Sequence, residues 1–204
     1  MNTLAAAVVV FGVFACGGKA TVAPEEPATP LFGPQGQTVE VSKERWPNKK
    51  TKTEYQYYLD LAGVRVIHGF FKEYYESGPI SQHKSYVEGK QDGKQVGYFL
   101  DGKIWYEEIY FHGNRDGRQV YYHTNGRVRE EQSYKNGKKD GQWVQYGVLG
   151  DIEKEENYKD GKLDGRWAFY NGLGQVSCEG NYENGVKVGY WSSFDDLGRE
   201  VCGL

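Results

Sequence analysis

The sequence predicts an all-β protein, an elongated single-layer antiparallel meander built of repeated β-hairpins. Three observations lead to this prediction. Glycines recur every 24 residues without an insertion, and an aromatic residue lies at the same place in each period. The segments between the glycine turns have six to nine residues, which is the length of a β-strand. A strict period of this kind indicates a repeat protein, in which each unit packs against its neighbours.

The composition supports many short strands rather than a conventional globular core. Only 38% of the 204 residues are apolar, yet 15% are aromatic, with 17 tyrosines and 28 glycines. Disordered chains are poor in aromatic residues, so the profile favours strands joined by glycine turns, with tyrosine providing much of the buried area. The net charge is -3 with both signs interspersed, so no nucleic-acid partner is predicted.

Residues 1–15 are predicted to be a lipoprotein signal peptide. The 12 residues Leu4–Ala15 are uncharged and apolar, too short for a membrane span but the right length for the core of a secretory signal. They end in "VFAC", which resembles the bacterial lipobox. The resemblance implies that Cys16 is the lipidated first residue of the mature protein, anchored in a membrane. Because Gly17 follows it, the resemblance also implies the cell outer membrane. An ordinary signal peptide or a misassigned start codon is the alternative.

The rest of the chain divides into a tether, a cap and the repeats. Residues 16–37 contain four of the six prolines and no hydrophobic periodicity, so they are predicted to be a disordered tether. Residues 38–68 are predicted to be capping strands or a half-repeat, in which Lys49 stands where later units have a turn glycine. Six repeats of 24 residues, the last incomplete, are predicted over residues 69–204.

Three series of glycines define the repeat. They are Gly69, Gly93, Gly117, Gly141, Gly165 and Gly189; Gly78, Gly102, Gly126, Gly150, Gly174 and Gly198; and Gly89, Gly113, Gly137, Gly161 and Gly185. Many follow Asn or Asp, as in Asn136-Gly137 and Asp140-Gly141. Such pairs suit the tight turns of β-hairpins, because both residues tolerate positive φ. Each unit is therefore predicted to be two antiparallel strands with two turns.

Alternation of side chains along a strand predicts two different faces. On the first strand of a unit, Val120 shares a face with Tyr122, and on the second, Ile104 shares parity with Tyr110. We predict that these residues and their equivalents form one tyrosine and aliphatic face, the tyrosine face. The opposite face, the tryptophan face, receives Phe71, Gln95, Gln119, Trp143, Trp167 and Trp191.

The repeat resembles a known family. The stretch "YKNGKKDGQWVQYGVLGDIEKEENY", from Tyr134 to Tyr158, and its neighbours look like the bacterial variant of the MORN repeat, found in proteins often labelled YwqK-family antitoxins. The shared pattern is a glycine, a spaced tryptophan and tyrosine, a turn glycine, and a glutamate before the next tyrosine. The resemblance implies an elongated β-meander that mediates contacts with proteins or lipids, and it implies no catalytic residue.

Two acidic series follow the period. They are Asp92, Asp116, Asp140 and Asp164, and Glu107, Glu131, Glu155 and Glu179. Equivalent positions in neighbouring hairpins lie about 10 Å apart, whereas calcium needs oxygens within about 2.6 Å. We therefore interpret the aspartates as turn residues and the glutamates as a solvated face.

No catalytic residue, metal site or cofactor is predicted. The histidines His68, His83, His112 and His123 lack zinc-like spacing. The chain contains no nucleophile elbow, phosphate-binding loop or dinucleotide motif. These observations favour a protein that is not an enzyme.

The candidate binding surface consists of Trp143, Trp167 and Trp191 with Phe169 beside them. These rings would form either a packing layer or an exposed platform, and exposed aromatic patches usually bind a partner. Cys178 and Cys202 form a possible disulfide. An exported location favours the bridge, but a separation near 10 Å exceeds the limit of about 7 Å between bridged Cα atoms.

These features lead to three hypotheses for the function. The first is a non-catalytic cell-envelope lipoprotein whose repeat sheet binds an unknown protein partner. The second is an antitoxin or immunity protein of a toxin system, which follows from the family label. The third is a glycan-binding or peptidoglycan-binding module, since tryptophan and tyrosine rings suit stacking on sugars. The sequence leaves the oligomeric state open.

Overall fold

A computed structural model describes residues 32–195 and 198–203 of the chain. The predicted signal peptide, Cys16 and residues 17–31 lie outside the described residues. All regular elements of the described ranges are β-strands, so the all-β prediction is confirmed. In this part of the chain no helix is long and apolar enough to cross a membrane.

The strands form one open antiparallel sheet in which order in the chain is order in space. The seventeen strands of the described ranges are β1 (Glu40–Arg45), β2 (Thr51–Leu59), β3 (Arg65–Tyr74), β4 (Ile80–Val87), β5 (Lys90–Gln91), β6 (Gly93–Tyr98), β7 (Ile104–Phe111), β8 (Asn114–Arg115), β9 (Gly117–Tyr122), β10 (Val128–Lys135), β11 (Lys138–Tyr146), β12 (Ile152–Lys159), β13 (Lys162–Leu163), β14 (Gly165–Tyr170), β15 (Val176–Glu183), β16 (Val186–Phe194) and β17 (Glu200–Gly203). The short strands β5, β8 and β13 are the first residues of strands that continue as β6, β9 and β14. The predicted antiparallel hairpin meander is confirmed.

The turns at the two ends of the strands differ. We call the two sides of the sheet on which these turns lie its two edges. One edge has two-residue turns with positive φ at both residues, as at Asn136 (49°) and Gly137 (80°), which is the type I′ geometry. The other edge has five-residue turns, in which Phe99 N–H donates to Lys103 O (2.8 Å) and Gly102 N–H to Phe99 O (2.9 Å). The prediction of a tight turn at Asn136-Gly137 is therefore confirmed.

The aspartates before the first glycine series do not form turns, so that prediction is wrong. Asp140 and Gly141 lie inside β11, and Gly141 has a φ of 102° that bends the strand. The Asp140 carboxylate accepts a hydrogen bond from the N–H of Asp160, in the turn of the next repeat (3.1 Å). The same bond recurs for Asp92 with His112, Asp116 with Asn136, and Asp164 with Asn184. We call this bond the aspartate clamp, because it fastens each two-residue turn to the preceding repeat.

Further hydrogen bonds connect successive repeats at both edges. At the two-residue edge, Gly161 N–H donates to Lys139 O across the repeat boundary (2.8 Å). At the five-residue edge, Tyr75 O–H donates to Tyr98 O (2.7 Å). His123 Nε2 lies 3.0 Å from Tyr146 O in the same arrangement. Neighbouring repeats are thus held by side-chain contacts as well as by the strand ladder.

A bulge recurs where the five-residue turns end. Gly97 pairs with Tyr106 and Tyr98 pairs with Ile104, which leaves Trp105 without an opposite residue. An unmatched residue reverses the alternation of side chains along the strand. The faces before and after Trp105 are therefore exchanged.

The bulge corrects the predicted faces. Ile104 lies opposite Tyr98 and so on the tyrosine face, as predicted. The series that contains Tyr110 lies on the tryptophan face instead, as shown by Tyr158, whose ring centroid is 5.7 Å from that of Trp143. The prediction that Ile104 and Tyr110 share a face is wrong because a count by twos fails across the unmatched residue.

The buried side chains lie along the middle of both faces. On the tyrosine face, Val120, Val144 and Ala168 are buried. On the tryptophan face, Gln119 has no exposed surface (0%) and bonds the backbone beside the bend in β9. Its amide accepts from Ile109 N–H (3.2 Å) and donates to Ile109 O (3.0 Å), which also accepts from Asp116 N–H (3.0 Å). A buried glutamine is stable here because both ends of its amide are satisfied.

The N-terminal cap follows the repeat with two departures. Lys49 has a φ of 68° in the turn from Trp46 to Lys50, so it occupies the conformation that glycine has later. A five-residue turn, Asp60–Val64, stands where later repeats have two residues, which accounts for extra residues in this unit. Ordered structure also begins inside the predicted tether, since Phe32 bridges to Thr38 around a turn.

Candidate binding surface

The three tryptophans form a row on the tryptophan face. The period of 24 places Trp143 on β11, Trp167 on β14 and Trp191 on β16, at the same height of the sheet. The ring centroids of Trp167 and Trp191 are 5.3 Å apart. Phe169 meets Trp167 edge-on at 4.8 Å. The structure therefore brings three of the four predicted aromatic residues into direct contact, while Trp143 contacts Tyr158.

The row is partly a packing layer and partly a surface. Trp191 is 3% exposed, and its indole covers Gly180, where an added β-carbon would lie 2.2 Å from the ring. Trp143 and Trp167 are half-buried, and Phe169 is 38% exposed. Trp191 thus has a packing position, and the accessible aromatic area belongs to the other three residues.

Lysine ammonium groups lie over these rings. Lys139 Nζ is 3.1 Å from the centroid of Trp143, and Lys154 Nζ is 5.3 Å from that of Phe169. Such contacts are attractive because the face of an aromatic ring has a negative electrostatic potential. Burial lowers the pKa of Lys139, an effect that Glu156 opposes. We call the surface of Trp143, Trp167, Phe169, Lys139 and Lys154 the aromatic-lysine surface.

A buried carboxylate fixes the orientation of this surface. Glu156 is 5% exposed and accepts hydrogen bonds from Trp167 Nε1 (3.1 Å) and Tyr158 O–H (2.8 Å). It also forms an ion pair with Lys154 (2.6 Å). Burial and the hydrogen bond to this carboxylate raise the pKa of Tyr158, so the phenol stays protonated as a donor. The Trp167 and Tyr158 rings are therefore held in place before any partner arrives.

A second buried carboxylate lies on the same face, nearer the N-terminus. Glu108 accepts from Arg115 Nη2 (2.6 Å), Tyr121 O–H (2.6 Å) and Tyr110 O–H (3.1 Å). Neither carboxylate was predicted from the sequence. Glu108 and Glu156 are two periods apart, and this spacing is the sequence feature from which they could have been predicted.

The glutamate series on the tyrosine face is partly solvated, but Glu131, Glu155 and Glu179 are also paired with arginines. Glu131 pairs with Arg118 (2.5 Å). Arg166 bridges Glu155 (2.6 Å) and Glu179 (2.9 Å). These carboxylates lie beside the buried valines, where the arginines of the adjacent strand reach them. Much of the charge on this face is therefore neutralised within the sheet.

The possible disulfide depends on strand positions that are far apart. Cys178 on β15 and Cys202 on β17 both lie opposite Ser193 of β16, one on each side. Two strand spacings are about 10 Å, beyond the usual reach of a disulfide. Cys178 is a free cysteine.

The histidines have no common site. His68 occupies the position that the clamping aspartates have in later repeats, and its Nδ1 accepts from Glu88 N–H (3.3 Å). Among the residues described, no group of three His, Cys, Asp or Glu side chains is arranged to hold a metal ion. This correspondence between His68 and the aspartate series was not predicted from the sequence.

No family model and no curated protein sequence matches this chain. The likeness to MORN-type repeats therefore rests on the sequence pattern alone.

Proposed function

We propose that this protein is a non-catalytic scaffold of the bacterial cell envelope that binds another protein through its aromatic-lysine surface. The observation that supports the binding function is a set of accessible aromatic rings in which a buried carboxylate fixes the Trp167 indole. The envelope location follows from the lipobox-like sequence at Cys16, which would anchor the chain to a membrane.

The properties of the surface suit a protein partner. Tryptophan and tyrosine side chains provide much of the binding energy in protein interfaces, because they bury a large area with few rotatable bonds. Here the Trp167 indole is already fixed by its bond to Glu156. Binding would therefore require little further ordering of side chains, which favours affinity.

The alternatives have weaker support. A glycan would stack on an open ring face, but Lys139 lies 3.1 Å above the Trp143 ring and a sugar would have to displace it. The antitoxin or immunity hypothesis is supported only by the resemblance of the repeats.

The test compares two variants of the full chain in its native envelope. The first combines Trp143→Ala with Trp167→Ala, and the control is Trp105→Ala, a tryptophan outside the surface that is 40% exposed. After chemical crosslinking and affinity capture, we expect the double variant to lose its partner by about tenfold or more. The control should retain that partner. Equal capture of the same partners by both variants, with unchanged circular dichroism, would exclude this surface.

A further inference from the structure

Two adjacent hairpins place lysines opposite each other beside their turns. Lys135 pairs with Lys138 across the turn at Asn136-Gly137, and Lys159 pairs with Lys162 in the next repeat. Like charges directly opposite each other destabilise a strand pair. All four side chains are exposed, and within the described residues no ion pair includes any of them.

The other repeats differ at this pair. Their opposing residues are Val87 with Lys90, Phe111 with Asn114, and Glu183 with Val186. Among these turns, the doubled positive charge is therefore limited to the two that lead into the strands of Trp143 and Trp167.

A groove of about 610 Å³ separates these two turns, and we call it the lysine groove. Its lining includes Lys135, Lys138, Lys159 and Tyr158. The Asp140 clamp holds the walls together. Tyr158 links the groove to the aromatic-lysine surface, since its ring is 5.7 Å from that of Trp143.

We propose that the lysine groove binds an acidic segment of the partner protein, an inference that rests on the proposed function. Carboxylates of that segment would pair with Lys135, Lys138 and Lys159, which line the groove, and relieve the repulsion within the two lysine pairs. Asp140, Asp160 and Asp164 also line the groove. Such a mixed lining favours a peptide, whose N–H groups can donate to these carboxylates, over a uniformly charged phosphate backbone.

The test measures binding of a labelled poly-L-glutamate peptide to the full chain by fluorescence anisotropy. We expect binding that weakens as sodium chloride is raised, because exposed charges are screened by salt. Lys138→Gln combined with Lys159→Gln, two lysines that line the groove, should weaken it about fivefold or more. The matched control combines Lys49→Gln with Lys90→Gln, which removes the same charge. Lys90 has the same place beside its turn, opposite Val87, and this control should change binding less than about twofold.

Several outcomes would overturn the inference. They are a lack of salt-dependent binding, an equal loss in both double variants, and tighter lysine-dependent binding of a single-stranded oligonucleotide than of the peptide. A groove variant that still captures the envelope partner in full, while the Trp143→Ala, Trp167→Ala variant loses it, would overturn the acidic-segment inference and leave the proposed function standing. The reverse pattern would overturn the proposed surface and support the groove.

Discussion

Lys49 adopts a left-handed backbone conformation that glycine adopts in the later five-residue turns. Its φ is 68°, compared with 84° at Gly102 and 87° at Gly126. A side chain with a β-carbon is strained there, because the β-carbon approaches the following carbonyl oxygen. The N-terminal cap therefore contains backbone strain at Lys49 that the regular repeats avoid by having glycine at this position.

Replacing Lys49 by glycine tests how much this strain lowers the free energy of unfolding. We expect Lys49→Gly to raise the free energy of unfolding by about 1 kcal/mol, the relief of strain less the greater flexibility of glycine in the unfolded chain. Urea denaturation followed by tryptophan fluorescence measures the change. The reciprocal control is Gly102→Ala, where no atom lies within 4 Å of the new β-carbon, so only the backbone strain remains. That variant should lose about 1 kcal/mol, and a neutral result at both positions would contradict the account.

Tyr106 makes the stability of the protein depend on alkaline pH. Burial raises its pKa from 10.0 to about 12, while its O–H donates to Gln82. A raised pKa means that folding favours the neutral phenol. Its contribution is thus complete below pH 10 and is lost as the pH rises toward 12. We expect the free energy of unfolding to fall more steeply over this interval in the wild type than in Tyr106→Phe. Parallel slopes for the two proteins would show that Tyr106 does not have this role.

At the scale of strands and turns, the faces predicted from the two-residue alternation of side chains are correct within uninterrupted strands. They are wrong where a bulge interrupts the strand. Val120 and Tyr122 share the predicted face because no bulge separates them. Ile104 and Tyr110 do not, since Trp105 is unmatched and reverses the alternation. No sequence pattern marked that residue, because its equivalents in other repeats include Arg129 and Glu153, which have different chemistry.

The aspartate-glycine pairs illustrate a second limit of local patterns. Asp160-Gly161 is a turn, whereas Asp140-Gly141 is a bend within a strand, although the two dipeptides have the same sequence. The difference lies in what surrounds them. Gly141 is only four residues beyond Gly137, too close for a second turn to leave a strand between them. The row of tryptophans was predictable because it follows the period. Its contact with Glu156 was not, because the bulge determines that Glu156 lies on the tryptophan face.

The contact between Gly180 of β15 and Trp191 of β16 provides a prediction at this scale. We expect Gly180→Ala to lower the free energy of unfolding by about 2 kcal/mol, because its β-carbon would overlap the buried indole. Thermal denaturation measures the effect. Gly172→Ala is the control, since no atom lies within 4 Å of its added β-carbon. Similar losses in the two variants would mean that the indole does not pack on Gly180.

At the scale of the whole molecule, the described residues form a linear array in which contacts join neighbouring repeats. Energetic coupling should therefore be local. We expect Trp167→Ala and Trp191→Ala to be non-additive by about 1 kcal/mol, because their rings are in contact. Trp46→Ala and Trp191→Ala, at opposite ends of the sheet, should add within about 0.5 kcal/mol. Urea denaturation of both double-mutant cycles gives the coupling energies, and strong coupling between the distant pair would indicate a more global packing.

The aspartate clamp also has a consequence for changes in chain length. Each clamp runs from one repeat to the turn 20 residues later, and four successive repeats contain the same bond. A deletion or duplication of one whole period would rejoin an aspartate to an equivalent turn and leave every remaining pair in register. A change of half a period would leave an aspartate facing the wrong edge. The array is thus modular, and its length can change in steps of two strands, about 10 Å, without redesign of the units that remain.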